Sequence, residues 1–271
     1  MLKDITLGQF FPGDTFIHRL DPRTKILAVV LYIVALFNAK WLVSYGVVAA
    51  VLLACILVSK VHFSALTRGL KPVFVIVIFT AVMNLFFTGG TPVCDVWLLR
   101  HITWEGIWSA GFMVVRIVML IMGTFLLTYT TSPISLTDGL ESLLGFLKKI
   151  HAPIHELSMM MSIALRFIPT LIEETEKIIS AQKARGAQLD SGNLRQRVKA
   201  LIPVLIPLFI SAFRRADELA MARECRCYHG GEGRTRLKQL HMHRSDILIA
   251  VVAVLVFVAI GMSNLFFARI G

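Results

Sequence analysis

Charge is scarce in this chain. Only 17% of its 271 residues are Asp, Glu, Lys or Arg, where soluble domains carry about 25%. Hydrophobic residues make up 56% and the mean hydropathy is +0.73, which argues against an ordinary water-soluble domain. Cysteine is also sparse: Cys55, Cys94, Cys225 and Cys227 are scattered, so no disulfide framework follows, and Cys55 sits in an apolar run where a buried thiol is ordinary. A G-x-x-x-x-G-K-[ST] phosphate loop is missing, and the glycines of HGGEGR (229–234) do not supply one. Any nucleotide hydrolysis tied to this chain would therefore be performed by another. The opening MLKDITLGQFFPGDTFIHRLDPRT mixes acids and bases and has no apolar h-region. No cleavable signal is expected there, and the first apolar run would stay as an anchor.

What is present is apolar sequence in long runs, at about 26–39, 41–59, 72–88, 107–131 and 246–268. Runs of this kind read as membrane helices, which need about 20 residues to cross the hydrocarbon core. The first is short and would tilt, thin the bilayer locally or lean on snorkelling from Lys25 and Lys40. The net charge of +11 is uneven: residues 148–244 hold 17 of the 28 bases but 9 of the 17 acids. In a membrane chain this asymmetry reads as orientation, not as a nucleic-acid footprint. Five spans with a cytoplasmic N-terminus place 60–71 and 132–245 inside and 89–106 outside, so every basic cluster falls on one face.

The 132–245 stretch is neither a clean span nor a soluble domain. SPISLTDGLESLLGFLKKI (132–150) repeats Leu136, Leu140, Leu143, Leu144 and Leu147 at helical spacing, an amphipathic pattern suited to an interface or a partner. PIHELSMMMSIALRFIPTLIEETEKIISAQKARG (153–186) and NLRQRVKALIPVLIPLFISAFRRADELAMARECRC (193–227) follow one plan. Each has an apolar centre with proline, a charged second half and an arginine between small residues at the end. Pro169, Pro203 and Pro207 are expected to kink or break these helices. Small neighbours would let Arg185 and Arg226 project from the helix ends, with a planar fork suited to carboxylates. The bland alternative is a pair of solvated charges near lipid headgroups.

These residues carry a resemblance. HRLDPRTKI (18–26), ALRFIPTL (164–171), AQKARG (181–186), RRADELAMA (214–222) and CRCY (225–228) occur in the order found in the transmembrane (T) components of energy-coupling factor (ECF) transporters, and the similarity covers nearly the whole chain. The resemblance implies an all-α integral membrane protein with about five transmembrane helices and three long cytosolic-side coupling helices. Its parts would be 1–131, 132–245 and 246–271. It implies a non-catalytic scaffold in the cell membrane that binds two cytosolic ABC-type ATPases, one per arginine motif. The scaffold would pass their motion to a small membrane S component that captures a vitamin or other micronutrient. Ala184, Arg185 and Gly186 match the first motif. Cys225, Arg226 and Cys227 stand at the second, where the family has alanine and glycine beside the arginine. Helix termination there is open, with Gly230 and Gly231 as a later stop, and Arg223 rivals Arg226.

No cofactor or metal is expected, since Cys225, Cys227, His229, His241 and His243 lack a standard zinc spacing. Met159, Met160 and Met161, beside Met119 and Met122, offer either an adaptable surface for membrane partners or plain packing. A self-sufficient secondary transporter would need ionisable residues meeting near the midplane, and the spans carry almost none besides Arg116. A membrane enzyme would need clustered His, Asp or Glu, which the eight histidines do not form in sequence. Arg116 itself needs a carboxylate partner or an outward path to the interface.

Overall fold

Asp21 begins the first helix. Its carboxylate accepts the N–H of Arg23 at 2.9 Å and Pro22 takes the first helical position, so α1 (Pro22–Asn38) starts there. The computed structural model describes residues 10–89, 103–145, 153–187, 193–228 and 240–270. Its other helices are α2 (Leu42–Ser59), α3 (Phe63–Leu70), α4 (Phe74–Phe87), α5 (Trp104–Thr130), α6 (Pro133–Leu143), α7 (Ile154–Ala184), α8 (Leu194–Glu224) and α9 (Arg244–Ile270), with a short 3-10 turn (Lys71–Val73) leading into α4. The chain is an all-α membrane protein. Among the described residues, Leu42–Ser59, Ser64–Phe87, Trp104–Thr130 and Arg244–Asn264 are long and apolar enough to cross a bilayer. The first apolar run forms α1, whose 17 residues extend about 26 Å at 1.5 Å per residue.

The chain divides into two compact units, one of residues 8–142 and 240–271, the other of residues 1–7 and 143–239. In the first, α1 lies along α9 and α5, α2 along α9, and α4 along α5. Its core is aliphatic, with Leu36, Val48, Leu66 and Ile260 almost wholly enclosed and Tyr45, Met119 and Tyr129 around them. The amphipathic helix α6 belongs to this unit.

Polar groups close both ends of α1. At its head, Lys25 is buried and its ammonium donates to the carbonyls of His18 (3.1 Å) and Thr130 (3.0 Å). Asp246, only 1% exposed, accepts the N–H of Asp21 at 2.8 Å and the N–H of His243 at 2.8 Å. The HRLDPRTKI stretch thus fastens the start of α1 to the end of α5 and the start of α9. At the far end, the Arg116 guanidinium donates to the Tyr45 hydroxyl (2.9 Å) and the Ala39 carbonyl (3.1 Å), and lies over the rings of Phe37 and Tyr45. Asn264 donates to the Asn38 carbonyl at 2.6 Å. Arg116 therefore caps a helix end and faces aromatic rings, with no carboxylate bonded to it among the described residues. The carbonyl dipole and ring quadrupoles do what a counter-ion would otherwise do.

Candidate functional site

The second unit is built from α7 and α8, each 31 residues long. Three sets of contacts fix how they run. Gln182 Nε2 donates to the Pro203 carbonyl at 3.2 Å. Glu174 receives Arg215 at 2.9 Å and also the Ser211 hydroxyl. Met159 Sδ accepts from Arg223 (3.4 Å) and from the Tyr228 hydroxyl (3.3 Å). As one number falls the other rises, so the pair is an antiparallel hairpin. Both helices continue through their prolines instead of breaking. Pro207 has no N–H to give the carbonyl four residues earlier, which is that of Pro203. Gln182, inside the AQKARG motif, fills that vacancy from the opposite helix. Sequence reasoning passed over Gln182, Glu174, Ser211 and Arg215 as pins. The i−4 rule for proline marks the Pro203 carbonyl as free, but nothing local in the sequence assigns Gln182 to it.

The two arginine motifs end their helices with one backbone design. Gly186 adopts φ +85°; its N–H bonds to Lys183 O at 2.9 Å and that of Ala187 to Gln182 O at 3.0 Å. In the second motif Cys227 adopts φ 54°; its N–H bonds to Glu224 O at 2.8 Å and that of Tyr228 to Arg223 O at 3.2 Å. Both are left-handed helix stops that satisfy otherwise orphaned carbonyls. Termination is not deferred to Gly230 or Gly231, which lie outside the described residues; Cys227 takes the conformation a glycine would take.

That equivalence aligns Arg226 with Arg185, since each precedes the left-handed residue. Both side chains are exposed, as are Ala184, Gly186, Cys225 and Cys227. Neither guanidinium has a hydrogen-bond or ion-pair partner among the described residues. Arg223 differs: it is half-buried, bonded to Met159 Sδ and stacked near the Tyr228 ring. Because the hairpin is antiparallel, Arg185 and Arg226 lie at its opposite ends. Each sits where the helix dipole favours a cation by about 0.3–1 kcal/mol. Between them α8 exposes Val198, Leu201, Ile202, Leu205, Phe209 and Phe213. Of the methionine triplet, Met160 and Met161 are exposed and Met159 faces α8.

Helices long and apolar enough to cross a bilayer, and a hairpin with an exposed arginine at each end and apolar residues between, define a multi-span membrane protein. The family model for cobalt transport protein (CbiQ) matches residues 13–237. The energy-coupling factor transporter transmembrane protein EcfT of Clostridium kluyveri is 56% identical over 262 residues, covering 96% of this chain and 97% of that protein. The proteins of the same description from Listeria innocua and Lactococcus lactis are 47% and 43% identical, covering 95% and 92% of this chain and 98% and 94% of their own lengths. The chain belongs to this family of ECF transporter transmembrane components.

Proposed function

We propose that the chain is the membrane scaffold of an ECF-type importer, converting the motion of two cytosolic ATPases into movement of a substrate-binding S component for vitamin or other micronutrient uptake. The observation that carries this reading is the duplicated helix terminus: two exposed arginines, each before a left-handed residue, one at each end of the hairpin. A guanidinium held this way suits bidentate docking onto a carboxylate in a partner's groove. The apolar residues of α8 between the two ends offer the S component a membrane-level surface, and the exposed Met160 and Met161 suit partners of varied shape. The excess of bases in 148–244 favours a cytoplasmic face for the hairpin and for the N-terminus.

The test is co-purification and uptake. The chain with Arg185→Ala and Arg226→Ala together should lose both ATPases in mild detergent, because leaving a buried partner charge unpaired costs about 2–5 kcal/mol at an interface. Arg223→Ala should retain them. Full ATPase recovery and normal uptake with the double variant would falsify the assignment.

A further inference from the structure

The helices α1, α2, α5 and α9 do not close fully on one another. They leave a crevice of about 310 Å³ whose wall is almost wholly aliphatic, drawn from residues such as Ala28, Val51, Ala54, Leu127, Val252 and Ala253. An engineered apolar cavity of about half that volume stays dry and takes up benzene, so water has no claim on this one. Its polar members are Lys25 at one end, Thr130, Tyr32 and Cys55; the Lys25 ammonium already serves two carbonyls, and the Thr130 and Tyr32 hydroxyls serve those of Leu126 and Met119. The crevice is also propped open. Tyr32, in its wall, is fixed by a 2.8 Å hydrogen bond to the Met119 carbonyl, and its ring packs where a Cβ on Gly123 would have to go. Held there, the Tyr32 ring is not free to swing in and fill the space, and the lining atoms keep unmet dispersion contacts until something else does.

We infer that this crevice holds one acyl chain of an anionic phospholipid. The bilayer is the apolar solvent of these helices and supplies chains of the right chemistry. The exposed charge beside the Lys25 end suits a phosphate: Ile17 and Leu20 line the crevice and Arg19 between them is exposed, while the charge of Lys25 behind it is already set against the buried Asp21 and Asp246. The chain enters between aliphatic walls while the headgroup phosphate meets Arg19 at the interface.

A phosphatidylglycerol with a diazirine-bearing acyl chain tests this with the full chain reconstituted in phosphatidylcholine vesicles. Photolabelling mapped by peptide mass spectrometry should concentrate on α1, α2 and α9 around Ala28, Cys55 and Ala253, and fall when unlabelled phosphatidylglycerol is added. Labelling as heavy on the outward residues of α4, such as Phe79, would overturn the site. Ala253→Phe should lower crevice labelling roughly tenfold and leave α4 labelling unchanged; unaltered crevice labelling refutes the proposal. Arg19→Ala should remove the preference for phosphatidylglycerol over a phosphatidylcholine probe of the same chain. Equal labelling by both headgroups in the unaltered protein would refute the anionic specificity.

Discussion

Cys227 holds a backbone conformation that costs an L-residue roughly 1–2 kcal/mol and costs glycine little. Cys227→Gly should therefore stabilise the hairpin by about 1 kcal/mol and keep ATPase recovery intact, read by thermal unfolding and co-purification. Cys227→Val should lower both. His18 gives a second residue-level outcome. Its Nε2 faces the Phe11 carbonyl at 3.1 Å and its Nδ1 faces the Thr15 hydroxyl at 2.5 Å, so the neutral ring donates to the first and accepts from the second. Burial pushes its pKa below the ordinary 6.5, only partly opposed by the Phe11 carbonyl. The unfolded chain then binds the proton more readily. The contribution is fully present above about pH 6.5 and is lost as pH falls through the depressed folded value. Unfolding midpoints should drop between pH 7 and 5, and less steeply in His18→Gln. The first arginine motif was legible because Gly186 announces a helix stop. The second is placed by resemblance, but its helix end stays open in the sequence, since cysteine carries no such signal. Resemblance alone favours Arg226 over Arg223; that Arg223 turns toward Met159 depends on a contact across 64 positions of sequence.

At the scale of elements, the hairpin depends on contacts that no local pattern contains. Periodicity marked two long amphipathic helices and charge marked their second halves, but the Glu174 contact with Ser211 and Arg215 joins residues 37 and 41 positions apart. Of the kink or break expected at the prolines, the break does not occur: α7 and α8 run on through Pro169, Pro203 and Pro207. Gln182 takes the carbonyl that Pro207 leaves free. Glu174→Ala and Arg215→Ala should each loosen the hairpin, and their double-mutant cycle should give a coupling of about 0.5–3 kcal/mol. Spin labels on the two helices near these sites would report the spread. An additive cycle would mean that the pair is a solvated surface contact.

Over the whole molecule, composition was enough to mark a helical membrane protein and roughly where its spans lie. It did not reveal how the spans are fastened, because Asp246 lies 225 positions from Asp21 and meets it only once α1 and α9 lie side by side. Asp246→Ala should leave two N–H groups without their acceptor, at about 1–3 kcal/mol each where buried, and lower the unfolding midpoint in detergent well below that of Arg244→Ala. A midpoint equal to that control would show that the clasp contributes nothing. The antiparallel course of α7 and α8 carries a mechanical consequence. The hairpin is a beam with Glu174–Arg215 near the middle of its paired length, and Arg185 and Arg226 sit on opposite arms of about 15–20 Å each at 1.5 Å per residue. Equal pulls in one direction translate such a beam, whereas opposed pulls exert a torque about its centre. The relative phase of the loads at its two ends, more than their size, would decide whether the beam slides or turns.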